Sequence, residues 1–122
     1  MVNSIVLICE DSPFGKNSAV ESIRMATGIL AVGDIDDCKI ILLNDAVYFL
    51  SKNINPEALN VDPFDNIIRL MELSDLEVYI HDLALEERGM ERSDLISGVN
   101  MQIVSMVKIS QIIAESDMSF KY

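Results

Sequence analysis

The residues most able to do chemistry in this chain are a single histidine, His81, and two cysteines, Cys9 and Cys38. His81 lies in LEVYIHDLALEERG, Leu76 to Gly89, with Asp82 directly after it. The apolar residues before it read as a buried strand. Those after it read as a short helix closed by Gly89, a residue suited to a left-handed C-cap. An imidazole is thus expected at the carboxyl end of a strand, where open parallel sheets gather ligands and chemistry. There it could act as a general base, a partner to a thiol or a metal ligand. The bland alternative is a histidine that fills space and bonds to nearby backbone.

Cys9 comes near the end of SIVLICE, just before Glu10 and Asp11. A thiol beside an imidazolium becomes a nucleophile. Two adjacent carboxylates oppose the thiolate by like charge. The competing reading is a buried strand cysteine acting as a small hydrophobe. Cys38 opens its own strand, at the other end of the sheet, and reads as structural or merely exposed. Glu10, Asp11 and Asp82 would form an acidic cluster able to hold Mg²⁺ or Ca²⁺ if the first and third strands were neighbours. Such a cluster is similar to that of a phosphoacceptor receiver domain, with Lys121 as the lysine after the last strand. This chain departs from that pattern by lacking a final helix and by carrying His81 at the strand tip. Gly15, Lys16 and Asn17 fall short of a phosphate loop. Glu86, Glu87 and Arg88 read as a solvated helix face, and the scattered methionines as core filling.

The elements that must position these groups alternate along the chain. Ser4–Glu10, Cys38–Leu43 and Leu76–Ile80 are continuous apolar runs, as expected of parallel strands covered on both faces. A fourth strand is expected near Val99–Met101 and a fifth over Met118–Tyr122. Helical spacing follows Ser18, with Val20, Ile23, Ala26 and Leu30 on one stripe, and ends at Gly33. Ala46–Leu50 reads as a short helix, Lys52–Val61 as an irregular polar excursion. Asp62-Pro63 signals a helix start, with the helix running to about Ser74. Ile103–Glu115 reads as the last helix. The βαβαβαβαβ alternation predicts one α/β domain over residues 1–122, a three-layer αβα sandwich on a five-stranded, mainly parallel sheet. If its strand order follows the flavodoxin-like 2-1-3-4-5, the ends of the first and third strands bring Cys9, Glu10 and Asp11 beside His81 and Asp82.

Composition narrows the function. Half of the 122 residues are hydrophobic, and the formal net charge is −11. Nucleic-acid binding needs clustered Lys and Arg, so it is not expected, nor is an anionic membrane surface. No run approaches the roughly 18 apolar residues of a membrane span. The amino-terminal apolar run is too short for a signal segment and lacks a basic lead. With two cysteines and no CxxC pair, a cytoplasmic protein with reduced thiols is expected, without a cofactor or structural metal. The apolar excess suggests an oligomer interface built from Val47, Tyr48, Phe49, Ile103, Met106 and Val107.

The segments IVLICEDSPFG, YIHDLALEERGM and VNMQIVSMVKISQIIAESDMSF, in this order and spacing, give the chain a resemblance to the DsrE/DsrF-like family of small sulfur-relay proteins. The resemblance covers nearly the whole chain. It implies the α/β fold and an oligomer, either a trimer or hexamer of this chain or a hetero-oligomer with related subunits. Catalytic members carry a persulfide-forming cysteine at the end of the third strand, eight residues before the Gly that ends the next short helix. Here that position is His81, and imidazole cannot carry sulfur in that way. The resemblance therefore implies a non-catalytic or divergent subunit. An active carrier using Cys9 assisted by His81 is the alternative, and an acidic metal-binding switch the third.

Overall fold

Four strands add to the sheet in chain order and the fifth goes to the far edge. They are β1 (Ser4–Cys9), β2 (Asp37–Leu42), β3 (Glu77–His81), β4 (Met101–Val104) and β5 (Met118–Lys121). All pairs are parallel, in the order β4-β3-β2-β1-β5. The structure, a computed structural model, describes residues 2–13, 18–52 and 65–122. The α/β class and the five parallel strands match expectation. The assumed order 2-1-3-4-5 does not, because β2 lies between β1 and β3.

This order decides where the helices go. A parallel crossover is right-handed, so strands that step one way place their connections on one face. The steps from β1 to β4 all run in one direction. Their connections are α1 (Ser18–Val32), a 3-10 helix (Asn44–Leu50), α2 (Asp65–Ser74) and α3 (Asp82–Glu87). A 3-10 turn, Arg92–Asp94, precedes β4. Together they cover the first face, where Ile5, Leu7, Cys9, Ile40, Leu42, Val78 and Ile80 pack with Ile23, Phe49, Leu50, Met71 and Leu85. The step from β4 back to β5 is reversed, so α4 (Met106–Glu115) lies on the second face. There Val6, Ile41 and Tyr79 pack under Ile109 and Ile112. Alternate residues of each strand thus enter opposite cores, which is why the strands read as unbroken apolar runs.

Several local boundaries moved. The fourth strand takes Ile103 and Val104, expected in the last helix, because these β-branched residues complete the edge beside β3. Ser105 then caps α4, its hydroxyl accepting from the Lys108 amide at 3.3 Å. The helix start at Asp62-Pro63, the residues 53–61 of the expected excursion and Gly15-Lys16-Asn17 lie outside the described residues. Val47 and Phe49 are fully buried in the first core, so they serve this chain's own packing and not a surface. The 3-10 helix folds back over the sheet and puts them there. The two termini are tied together: the Asn3 and Ser4 amides donate to the Asp117 carboxylate at 2.6 and 3.2 Å. The Asp117 amide donates to the Ser4 hydroxyl at 2.9 Å.

Candidate functional site

The connections part at one place. α3 follows β3 onto the first face, with Ala84 and Leu85 in that core, whereas α4 follows β4 onto the second. The connections from neighbouring strands therefore part at the carboxyl ends of β3 and β4, the kind of position at which open α/β sheets receive ligands. His81 stands there as the last residue of β3, paired in register with Val104.

His81 holds extended backbone (φ −68°, ψ 123°) and its side chain does not cap α3. The cap role passes to Asp82, whose carboxylate accepts from the Leu83 amide at 2.7 Å. The imidazole is 13 % exposed, and its Nε2 lies 3.7 Å from Asp82 Oδ1. That is beyond hydrogen-bond range. Nε2 is buried with no hydrogen-bond partner, an uncommon state for a buried polar atom. The expected backbone bond that would have made His81 a plain space-filler is thus missing at this nitrogen.

The neighbouring gap, between β2 and β3, is closed. Asn44 turns out of β2 at φ +50°, a conformation that Asn tolerates better than most residues. Asp45 next accepts from Arg88 Nε at 3.0 Å and lies 2.9 Å from its Nη2. Arg88 Nη1 donates to the Ala84 carbonyl at 3.1 Å, and the guanidinium sits 6.0 Å from the Tyr48 ring centre. The Arg88 side chain is only 17 % exposed. It is a clamp between α3 and the 3-10 helix, not part of a solvated face as the run EER suggested. Nothing local could reveal a partner 43 residues away.

Cys9 does not join His81. The register runs Cys9 to Leu42 and Leu42 to Ile80, so one whole strand intervenes. Two strand spacings amount to roughly 10 Å. The faces also differ: Cys9 belongs to the first core, while His81 shares the parity of Tyr79, which faces the second. Cys9 is fully buried. Burial pushes its thiol up, helped by the charges of Asp11 and Glu10, against bonds from the Asp11 backbone and Ser22. Cys38 is buried too, not exposed, and burial pushes its thiol up to about 11.

The acidic cluster is divided in the same way. Lys121 does reach Glu10, at 3.1 Å, because β5 flanks β1. Asp82 remains beyond β2, and no group of three or more His, Cys, Asp or Glu able to hold a metal occurs among the described residues. A cluster that sequence inspection passed over lies on the second face beside α4. Lys39 bonds to Asp37 and lies 3.6 Å from Glu77. Burial pulls the Lys39 ammonium down, but the two carboxylates outweigh it and the net direction is up. The alternation Asp37, Lys39 and Glu77, Tyr79 was the available signal, since residues two apart share a face.

Residues 3–121 match the model of the DsrE/DsrF-like family. The fold is similar to the crystal structure of the ychN protein from E. coli, with a TM-score of 0.81 and 19% identity over 98% of this chain and 99% of that one. It is also similar to a protein of unknown function, MTH1491 from Methanobacterium thermoautotrophicum, with a TM-score of 0.62 and 14% identity over 98% and 99%. No curated protein matches the chain. At these identities the two structures speak for the fold alone.

Proposed function

Since this chain belongs to the DsrE/DsrF-like family, we propose that it is a non-catalytic or divergent subunit of the sulfur-relay type, working by assembly with itself or with thiol-bearing relatives. One observation carries this: both thiols are buried, Cys9 at 0% and Cys38 at 2% exposure, so neither presents a sulfur acceptor at the surface. The strand end at which catalytic relatives carry their cysteine holds His81, whose ring has no atom on which a persulfide can form. His81 would line a small pocket at the sheet edge, between the carboxyl ends of β3 and β4. No helix among the described residues is long and apolar enough to cross a membrane, and a cytoplasmic trimer, hexamer or mixed assembly is the form in which the subunit would act.

The test is intact-mass analysis after exposure to a persulfide donor, with the remaining thiols alkylated. The wild type should gain no sulfur. His81→Cys should gain one sulfur atom, because it restores a thiol at the carboxyl end of β3. A gain in the wild type that disappears in Cys9→Ser would overturn the proposal in favour of a Cys9 carrier.

A further inference from the structure

A groove of about 500 Å³ runs between the C-terminal halves of α1 and α2, with Thr27, Gly28 and Ala31 on one wall and Leu70, Leu73 and Ser74 on the other. Leu73 is 76% exposed and Leu70 43%, and a Cβ on Gly28 would meet nothing within 4 Å. Both hydroxyls are spent as donors inside their own helices. Thr27 Oγ1 donates to the Arg24 carbonyl at 3.1 Å and Ser74 Oγ to the Leu70 carbonyl at 2.7 Å. The walls are helices, whose backbone groups are paired internally. An occupant therefore gains by burying apolar surface and must satisfy its own backbone, which selects a helix over an extended segment.

The open end of the groove is acidic. Both helices run against the strands, so both finish at one edge of the sheet. Neither has a basic residue in its last turn. Exposed acids follow each, Asp34 and Asp36 after α1 and Asp75 after α2. No ion pair among the described residues engages these three, and the negative ends of two helix dipoles add to them. The cations of the two helices, Arg24 and Arg69, lie further back, with Arg24 3.9 Å from Glu21. Glu72 turns away towards Gly98. Lys39 stands at this edge but on the second face, held by Asp37 and Glu77.

We propose that this groove docks an amphipathic helix of a different protein, with an apolar ridge between α1 and α2 and Lys or Arg side chains over Asp34, Asp36 and Asp75. The apolar walls call for the ridge, and the uncompensated carboxylates call for the cations. A second copy is a poor occupant. No α-helix among the described residues has a basic residue in its last turn, and a chain of net charge −11 would bring acid to acid. The inference goes beyond the sulfur-relay reading and does not depend on it.

The probe is a synthetic helical peptide with a leucine ridge, glutamines elsewhere and lysines in its last turn, where they also suit its own dipole. A second peptide carries glutamates in place of the lysines. Fluorescence anisotropy reads binding to the wild type, Leu73→Gln, Asp75→Asn and the control Val107→Gln. Leu73 and Val107 are both mostly exposed, at 76% and 70%, so their variants should stay folded, as circular dichroism would verify. Asn suits the left-handed backbone at position 75, where φ is +53°. The lysine peptide should bind the wild type and Val107→Gln alike. It should bind Leu73→Gln about tenfold more weakly and Asp75→Asn about two- to fivefold more weakly. The glutamate peptide should bind the wild type more weakly than the lysine peptide does. Absent binding of the lysine peptide, equal binding of the two peptides, or equal affinity for Leu73→Gln and Val107→Gln would overturn the proposal. Light scattering covers the remaining occupant: if Leu73→Gln lowers the mass of a wild-type multimer, a second copy fills the groove and the partner helix is overturned.

Discussion

Cys9 and His81 end β1 and β3 on opposite faces of the sheet, with β2 between them. A thiol and an imidazole so placed cannot exchange a proton directly, and the Cys9 thiol is fully buried. Alkylation at neutral pH should therefore label neither Cys9 nor Cys38 in the folded protein and both in concentrated urea. Mass analysis of digests reads this directly. Rapid labelling of Cys9 in the native state would show that its strand end opens.

Alkaline pH should destabilise the fold. Cys38 rises from 9.0 to about 11 on folding, and Cys9 is raised in the same sense. Between those values the unfolded chain has lost protons that the folded chain still holds, so stability falls as pH rises. For Cys38 the loss is on the order of 2–3 kcal/mol. Lys39 and Tyr79, both raised from 10.5 and 10.0, act with the same sign at higher pH. Urea titrations across the range should show a decline from about pH 9 in the wild type. It should be shallower in Cys38→Val and begin about one unit later in the Cys9→Ala/Cys38→Val double variant.

The clamp from Arg88 to Asp45 should matter more for its covered guanidinium than for its charge. Asp45 is 57% exposed, so the ion pair alone is worth at most about 1 kcal/mol. Arg88→Ala also strips the stem and planar head from between α3 and Tyr48, and should cost about 1–2 kcal/mol. Arg88→Lys should recover only part, because an ammonium cannot reproduce the two-pronged contact. A double-mutant cycle with Asp45→Ala isolates the pair.

Two glycines separate conformational strain from collision. Gly89 (φ +65°) has open space where a Cβ would stand, and Gly98 (φ +91°) would put that atom 3.0 Å from Glu72 Oε1. Gly89→Ala should cost about 1 kcal/mol from backbone conformation alone. Gly98→Ala should cost more, with part of the excess relieved in Glu72→Ala. Equal losses at the two positions would mean that Glu72 swings away freely.

Much of this was legible in the chain. Unbroken apolar runs marked all three inner strands, and Gly89 marked the end of α3. His81 was found by placing a lone imidazole after such a run. Neighbour relations among strands were not legible, because apolar pattern records which face a residue takes but not which strand stands beside it. The assumed order therefore joined Cys9 to His81, and Glu10 to Asp82, when β2 divides them. The shift of Ile103 and Val104 from helix to strand has a similar origin. Both fit a helical stripe, and only the vacant edge of β3 decides for the strand. Arg88 was misread because its partner lies far away in sequence.

That α4 alone among the described helices covers the second face has a consequence for the order in which the molecule is made. During synthesis, β1 to β4 can assemble by simple addition while the second face is bare, with Val6, Ile41 and Tyr79 open to water. Only α4 and β5, reaching back across the sheet, lay down the missing layer and the opposite edge in one movement, and Asp117 latches them to Ser4. Until then the nascent chain is a half-covered sheet with two open edges. The α4–β5 segment acts as the sheet's own late-arriving chaperone.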